Sequence, residues 1–218
     1  MKLKQLVALL LAAMLLTAMV PAMAETATPT TGGTLTVIGL EFSTCFLPYS
    51  SSTSDRYNTA PAIEPLGRVN VETGDMEPWL AEEFITDPDA LTFTIKLKQG
   101  IKFSDGSDFN AAAVVWNFDK MIEYGKNSEL SNAVSYEATD DYTVVMKFDA
   151  WANNWADTIG EARIYCPAAF EANGADWAAI NPVGTGAYVL SEFVQDSHMT
   201  YVKNENYWIE GQPYLDSV

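Results

Sequence analysis

Between Ala81 and Ala111 the chain reads AEEFITDPDALTFTIKLKQGIKFSDGSDFNA, an order of local signals that few folds can satisfy. Thr92 to Leu97 alternates, with Phe93, Ile95 and Leu97 on one face and Thr92, Thr94 and Lys96 on the other. That is the period of a half-buried strand. Gly100 breaks the run, Ile101 to Phe103 resumes it, and Ser104-Asp105-Gly106-Ser107 has turn chemistry. Asn110 is placed to cap a helix by accepting a backbone N–H. In that helix Ala111, Val115, Phe118 and Ile122 recur on one stripe until Gly125 supplies the stop. A strand that passes through a polar turn into a capped helix predicts a mixed α/β class. The stretch carries no catalytic group in a pocket-like setting.

The flanks extend the same pattern. Thr34 to Ile38 predicts a short strand, and residues 39–55, rich in Ser, Thr and Pro, predict a long loop leaving it. Pro78 suits the first position of a helix and predicts a short one over Trp79 to Phe84. Val134 to Glu137 and Thr143 to Phe148 flank the polar turn Ala138-Thr139-Asp140-Asp141 as a hairpin. Tyr188 to Val194 and His198 to Lys203 form a second hairpin around Gln195-Asp196-Ser197. No internal repeat is visible.

At the start, Lys2 and Lys4 precede an apolar run from Leu6 to Leu16, then Pro21 and Ala22-Met23-Ala24 before Glu25. These are the parts of a secretory signal peptide over residues 1–24. A membrane-spanning helix needs about 20 apolar residues, and this run is interrupted before that length. Residues 25–33, ETATPTTGG, read as a flexible linker. No Cys follows the cleavage point directly, so no lipid anchor is expected. The mature chain is expected to be periplasmic or extracellular and not membrane-spanning.

A hydrophobic content of 48% with 12% aromatics points to a folded chain. A net charge of −17 repels nucleic acid and anionic membranes, so neither is an expected partner. Cys45 and Cys166 would meet an oxidising compartment, and a disulfide between them stands open beside two unpaired buried thiols. Neither has a His or a second Cys at ligand spacing, so no metal and no cofactor is expected.

Gly184-Thr185-Gly186 reads first as a tight turn needing positive φ before a strand, with a cleft-facing role as the alternative. No helix with a Lys follows these glycines, which excludes a phosphate-binding loop. His198 is the single histidine, and no Gly-x-Ser-x-Gly elbow accompanies it, so hydrolysis lacks a constellation. The Asp140-Asp141 pair is expected to be solvated in its turn. Of Trp151, Trp155, Tyr165, Trp177, Tyr201, Tyr207, Trp208 and Tyr214, most are expected in the core, leaving one or two to stack on a ligand.

The Ala81–Ala111 succession resembles the signature region of solute-binding protein family 5, the peptide- and nickel-binding proteins of ABC importers. Asn181 to Tyr188 resembles that family's Pro-x-Gly-Thr-Gly-Pro-Tyr turn, with Ala187 in place of the usual Pro. Asn204 to Trp208, followed by Gly211 to Asp216, resembles the segment leading into the family's next strand. The resemblance implies a periplasmic-binding-protein-like α/β fold (type II, cluster C), in which two hinged lobes close over solute. It implies a first lobe from residues 34–54 and 161–218, the latter part incomplete, and an inserted subdomain at 55–160. The second lobe is expected to be missing, since relatives continue past Leu215 to Val218.

The implied role is the extracytoplasmic substrate-binding component of an ABC importer. It would capture a peptide or related small solute for the permease subunits, without enzymatic activity and as a monomer when full length. The expected ligand contacts are Leu40, Glu41, Phe42 and Ser43, because sites in α/β domains favour loops beyond strand ends. Gly184 and Thr185 join them from the glycine turn. The rival classes are a secreted hydrolase using His198 and an extracellular adhesion or scaffold domain. Peptide, nickel complex, haem and oligosaccharide all remain open as solute, with the lack of a His or Cys cluster leaning away from direct metal ligation.

Overall fold

Alternating apolar residues build the central sheet, and what covers them sets the architecture. A computed structural model describes residues 29–39, 44–49, 58–125 and 130–218. The expected signal segment, the start of the linker and Leu40 to Ser43 lie outside the described residues. In chain order the elements are β1 (Gly67–Val69), β2 (Met76–Pro78), β3 (Ala81–Asp87), β4 (Thr92–Leu97) and α1 (Ala111–Glu123). They continue with β5 (Ala133–Asp140), β6 (Thr143–Phe148), α2 (Trp155–Gly160), α3 (Pro167–Asn173), α4 (Ala175–Ala178), β7 (Tyr188–Val194) and β8 (His198–Lys203). All strand pairs between these elements are antiparallel: a ribbon β1-β2, a four-stranded sheet ordered β3-β4-β6-β5, and a hairpin β7-β8.

In β4 the side chains of Phe93, Ile95 and Leu97 are buried, and in β6 those of Val144, Met146 and Phe148. Helix α1 packs on this face against β5 and β6, with Phe118 meeting Tyr136 edge-on at 5.8 Å. Asn110 accepts from the Ala113 N–H at 3.0 Å, the cap that its position predicted. The buried stripe, however, is Ala111, Ala113, Val114, Asn117, Phe118 and Met121, while Ile122 is exposed. The helix is turned relative to the expected stripe because Asn117 points inward. Its amide donates to Tyr165 O (2.9 Å) and to Ala113 O (2.8 Å), and its carbonyl accepts from Tyr165 N (3.0 Å). A side chain that satisfies a stray stretch of backbone can occupy a core position that polarity alone would forbid.

Three further expectations are corrected. Trp79 to Phe84 is not a helix: Pro78 ends β2 and Ala81 begins β3. Trp79 N and Ala81 N donate to Leu66 O at 2.8 and 2.9 Å, and β3 then ladders with β4. A Pro without an N–H suits a strand end as well as a helix start, and tertiary pairing decides. Thr34 to Ile38 is not a strand: only Thr34 bridges, to Ser217, while Val37 and Ile38 are 69% and 93% exposed. Ile101 to Phe103 is held by a single bridge, Lys102 to Asp108. Both hairpins form as expected, with β5 longer than its sequence pattern.

Cys45 and Cys166 are thiols and no disulfide joins them. Cys166 is instead the N-cap of α3: its Sγ donates to Asp105 Oδ2 (3.1 Å), lies 3.2 Å from Ser107 Oγ, and accepts from Ala169 N (3.5 Å). Burial pushes its thiol up to about 11, so at pH 8 roughly a thousandth of it is ionised. Iodoacetamide at pH 8, followed by peptide mass spectrometry, is expected to label half-buried Cys45 and to leave Cys166 at least about 100-fold slower. Equal labelling would contradict this packing.

Thr31–Val218 forms one compact unit, and of the unit Met1–Thr30 only Pro29 and Thr30 are described. Among the described residues no helix is long and apolar enough to cross a membrane.

Candidate functional site

The sequence AIEPL places one carboxylate between apolar residues, and the fold buries it. Glu64 is only 7% exposed, flanked by Ile63 and Leu66 at 0%. Its backbone is pinned by Ile164 N donating to Glu64 O at 3.0 Å and by the bridge between Pro65 and Arg163. Four donors from three distant segments converge on the side chain. Oε1 accepts from Trp79 Nε1 (2.9 Å) and the Tyr207 hydroxyl (2.7 Å). Oε2 accepts from Thr185 Oγ1 (2.8 Å) and Trp208 Nε1 (2.9 Å).

A carboxylate has about four lone-pair sites, and here each oxygen takes one indole N–H and one hydroxyl. A buried charge is tolerated when it is fully hydrogen-bonded. Burial, and then the Glu64 charge, hold the Tyr207 phenol above the ordinary tyrosine range, which keeps it a donor.

Two cations complete the electrostatics from the ring faces. The Arg68 guanidinium lies 4.0 Å from the Trp79 ring centre, and the Lys98 ammonium lies 4.9 Å from that of Trp208. Trp79 and Trp208 meet edge-on at 5.3 Å. Negative charge at the ring edges and positive charge on the faces both suit the indole quadrupole. Outside this knot Glu82, Lys98, Gln99, Gly100, Ile101 and Trp208 line an open groove of about 480 Å³.

The Gly184-Thr185-Gly186 turn supplies Thr185 to the knot, and all three residues are buried. Neither glycine has the expected positive φ. What demands glycine is proximity: a Cβ on Gly184 would lie 2.3 Å from Ala62 O, and one on Gly186 2.3 Å from Pro61 O. The turn is stitched by Gly186 N to Ala62 O (2.9 Å), Tyr188 N to Pro61 O (3.0 Å) and Ser104 N to Gly184 O (2.8 Å).

Of the residues expected to contact ligand, Gly184 and Thr185 are thus brought to Glu64 beneath the surface, and Leu40, Glu41, Phe42 and Ser43 lie outside the described residues. His198 sits beside the turn of the β7-β8 hairpin, with Nδ1 3.0 Å from Ser197 Oγ and Nε2 3.2 Å from Glu192 Oε2. The His198 and Glu192 side chains are 51% and 59% exposed, a solvated cluster. Asp140 accepts from Tyr142 N at 2.8 Å within its turn, the solvated role expected. Among the aromatics, Trp155 stacks on Phe148 at 4.3 Å and Tyr165 and Tyr201 are buried, whereas Tyr214 is exposed. Among the described residues no group of three His, Cys, Asp or Glu side chains is arranged to hold a metal. Glu64 itself escaped the motif reading, although a lone charge in an apolar run was the available signal.

The family model described as bacterial extracellular solute-binding proteins, family 5, middle region, matches residues 75–218. The chain belongs to this family. The match takes in Trp79, Thr185, Tyr207 and Trp208, all four donors to Glu64. The glutathione-binding protein GsiB of Escherichia coli O1:K1 / APEC is 37% identical over 147 residues, covering 64% of this chain and 28% of GsiB. GsiB of Salmonella typhi is 38% identical over 148 residues with the same coverage.

Among solved structures, the oligopeptide-binding protein AppA of Bacillus subtilis, in complex with a nonapeptide, superposes with a TM-score of 0.73 at 25% identity, over 88% of this chain and 40% of AppA. NikA of Brucella suis, in complex with Fe(III)-EDTA, gives 0.68 at 25% identity over 87% and 38%. The fold is that of type II periplasmic binding proteins, with mixed α/β content. The relatives named are binding proteins, and the chain spans 28% of the GsiB length.

Proposed function

We propose that this chain forms one wall of an extracytoplasmic solute-binding subunit that captures a peptide or related small solute and delivers it to an ABC permease. The observation that carries the reading is the likeness to the nonapeptide complex of AppA over 88% of the chain. In this reading residues 34–54 and 161–218 belong to the first lobe, 55–160 form its inserted subdomain, and a second lobe lies beyond Val218. Leu40 to Ser43 would meet the solute. Residues 1–24 would direct export to the periplasm or outside and be removed.

A wall of this kind has to be rigid before solute arrives, because preorganisation limits what binding loses in ordering. The Glu64 knot and the glycine turn supply that rigidity by tying the link between β2 and β3, the segment before β1 and the segment after β8 together. Peptides are then held through backbone hydrogen bonds and wet side-chain pockets, with no bond made or broken.

Calorimetry tests the reading on two proteins: the 218-residue chain, and one extended beyond Val218 to the length of its relatives. With glutathione and di- to nonapeptides, the extended protein is expected to bind at least one at a single site with Kd of about 10 μM or tighter. The shorter chain is expected to bind at least about 100-fold more weakly, because a one-sided site cannot enclose the ligand. Equal affinity in both, or no peptide bound by the extended protein, would overturn the proposal.

A further inference from the structure

β3 and β4 fall out of step at one point. Ala81 faces Leu97 and Glu83 faces Lys96, so Glu82 is the extra residue of a β-bulge. A bulge re-aims side chains that strict alternation would hide. Here it leaves Glu82 and Glu83 both exposed and sets Glu82 in the wall of the groove shared with Lys98 and Trp208.

Lys98 is the second unusual group in that wall. Its ammonium donates to the Trp79 carbonyl oxygen at 2.5 Å and lies 4.9 and 5.6 Å from the ring centres of Trp208 and Trp79. Lys96, Lys102 and Lys120 each hold a carboxylate, from Glu83, Asp108 and Glu123 respectively. Lys98 holds none within ion-pair distance among the described residues, in a chain whose net charge is −17. An ammonium carries three donors, so two of its N–H bonds find no protein acceptor there. Burial, and then the neighbouring Arg68 charge, hold its pKa below the ordinary lysine range, against the opposing pull of the Glu64 and Glu82 carboxylates.

We propose that this groove is a binding site for a small zwitterion of the amino-acid or dipeptide class. The carboxylate meets Lys98, the ammonium meets Glu82, and the short backbone between them lies against the Trp208 indole. One cation, one anion and a flat apolar wall in a single groove are complementary to a molecule carrying both charges. They discriminate against one carrying either charge alone. The site is independent of the capture reading, since all its residues lie in this chain and its test needs no second lobe.

The test is a titration of the full chain by ¹H–¹⁵N NMR at constant ionic strength, following the Trp208 and Trp79 indole N–H signals. The probes are glycylglycine, N-acetylglycine and glycinamide. Glycylglycine is expected to saturate with Kd on the order of millimolar, as suits so few heavy atoms. N-acetylglycine should bind at least about threefold more weakly and glycinamide should not saturate. Lys98→Gln should weaken glycylglycine at least about tenfold, and Lys98→Arg should keep most of the affinity by keeping the charge. Glu82→Gln, at an exposed position, should bring glycylglycine to the affinity of N-acetylglycine. Shifts that stay linear with every probe, or glycylglycine binding unchanged in both Lys98→Gln and Glu82→Gln, would overturn the proposal. So would N-acetylglycine binding as tightly as glycylglycine.

Discussion

Gly186→Ala is expected to lower the melting temperature by about 6–12 °C, equivalent to about 3 kcal/mol for a domain of this size. The added methyl would lie 2.3 Å from Pro61 O, 2.6 Å from Ala62 C and 2.7 Å from Ala62 Cα, all backbone atoms. No rotamer change can make room, so the turn and the 61–62 segment must separate, and the bonds from Gly186 N to Ala62 O and Tyr188 N to Pro61 O stretch with them. Overpacking of this kind typically costs about 1–3 kcal/mol, and most when backbone has to move. Gly184→Ala should behave alike, since its methyl would lie 2.3 Å from Ala62 O. Gly74 is the control: φ is +79° and nothing lies near its Cβ position, so Gly74→Ala carries only the left-handed strain of about 1–2 kcal/mol. Circular dichroism melts of the three variants decide. A Gly186→Ala melt within 2 °C of the parent, or above that of Gly74→Ala, would mean that the close approach is not what holds this turn.

Much of the fold was readable wherever a periodic pattern met a partner nearby in sequence. The β7-β8 hairpin pairs across a short turn and β4 pairs with β3 just before it, although its other neighbour β6 comes much later in the chain, and these strands form where the pattern places them. Reading failed where a distant partner decides. Thr34 to Ile38 has strand composition but pairs only at Thr34, and Trp79 to Phe84 follows a proline that fits two structures and is resolved by Leu66. The stripe expected from Ala111, Val115, Phe118 and Ile122 left out Asn117, which is buried because Tyr165, 48 residues away, supplies its partners. The site shows the same division. The glycine turn was singled out for its conformational freedom, but its reason is contact with residues 61 and 62, invisible in a local reading. Glu64 belongs to no short motif, since its four donors come from segments 15, 121, 143 and 144 residues away.

Glu64→Leu is expected to destabilise the chain by about 3–5 kcal/mol, and Glu64→Gln by about 1–3 kcal/mol, in urea denaturation followed by tryptophan emission. The order matters more than either value. Replacing a buried ion pair by well-packed apolar residues is often neutral, because both polar partners leave together. Here only the acceptor leaves. Two indole N–H groups and two hydroxyls stay behind in a site 7% exposed, and an indole can donate but never accept. Glutamine keeps one carbonyl oxygen, and on its amide side a hydroxyl of Thr185 or Tyr207 can rotate to accept. Trp79 or Trp208 then faces another donor, so one indole N–H is left unsatisfied in Glu64→Gln and both in Glu64→Leu. Trp208→Phe removes a single donor and should fall near Glu64→Gln, at about 1.5–3 kcal/mol for a hydrogen bond to a charged group. Indole N–H exchange read by NMR supplies a second readout: Trp79 and Trp208 protons should exchange faster in Glu64→Leu than in the parent. Were Glu64→Leu as stable as the parent with both indole protons still protected, the four donors would have to be satisfied elsewhere. The carboxylate could not then be what ties residues 79, 185, 207 and 208 into one wall.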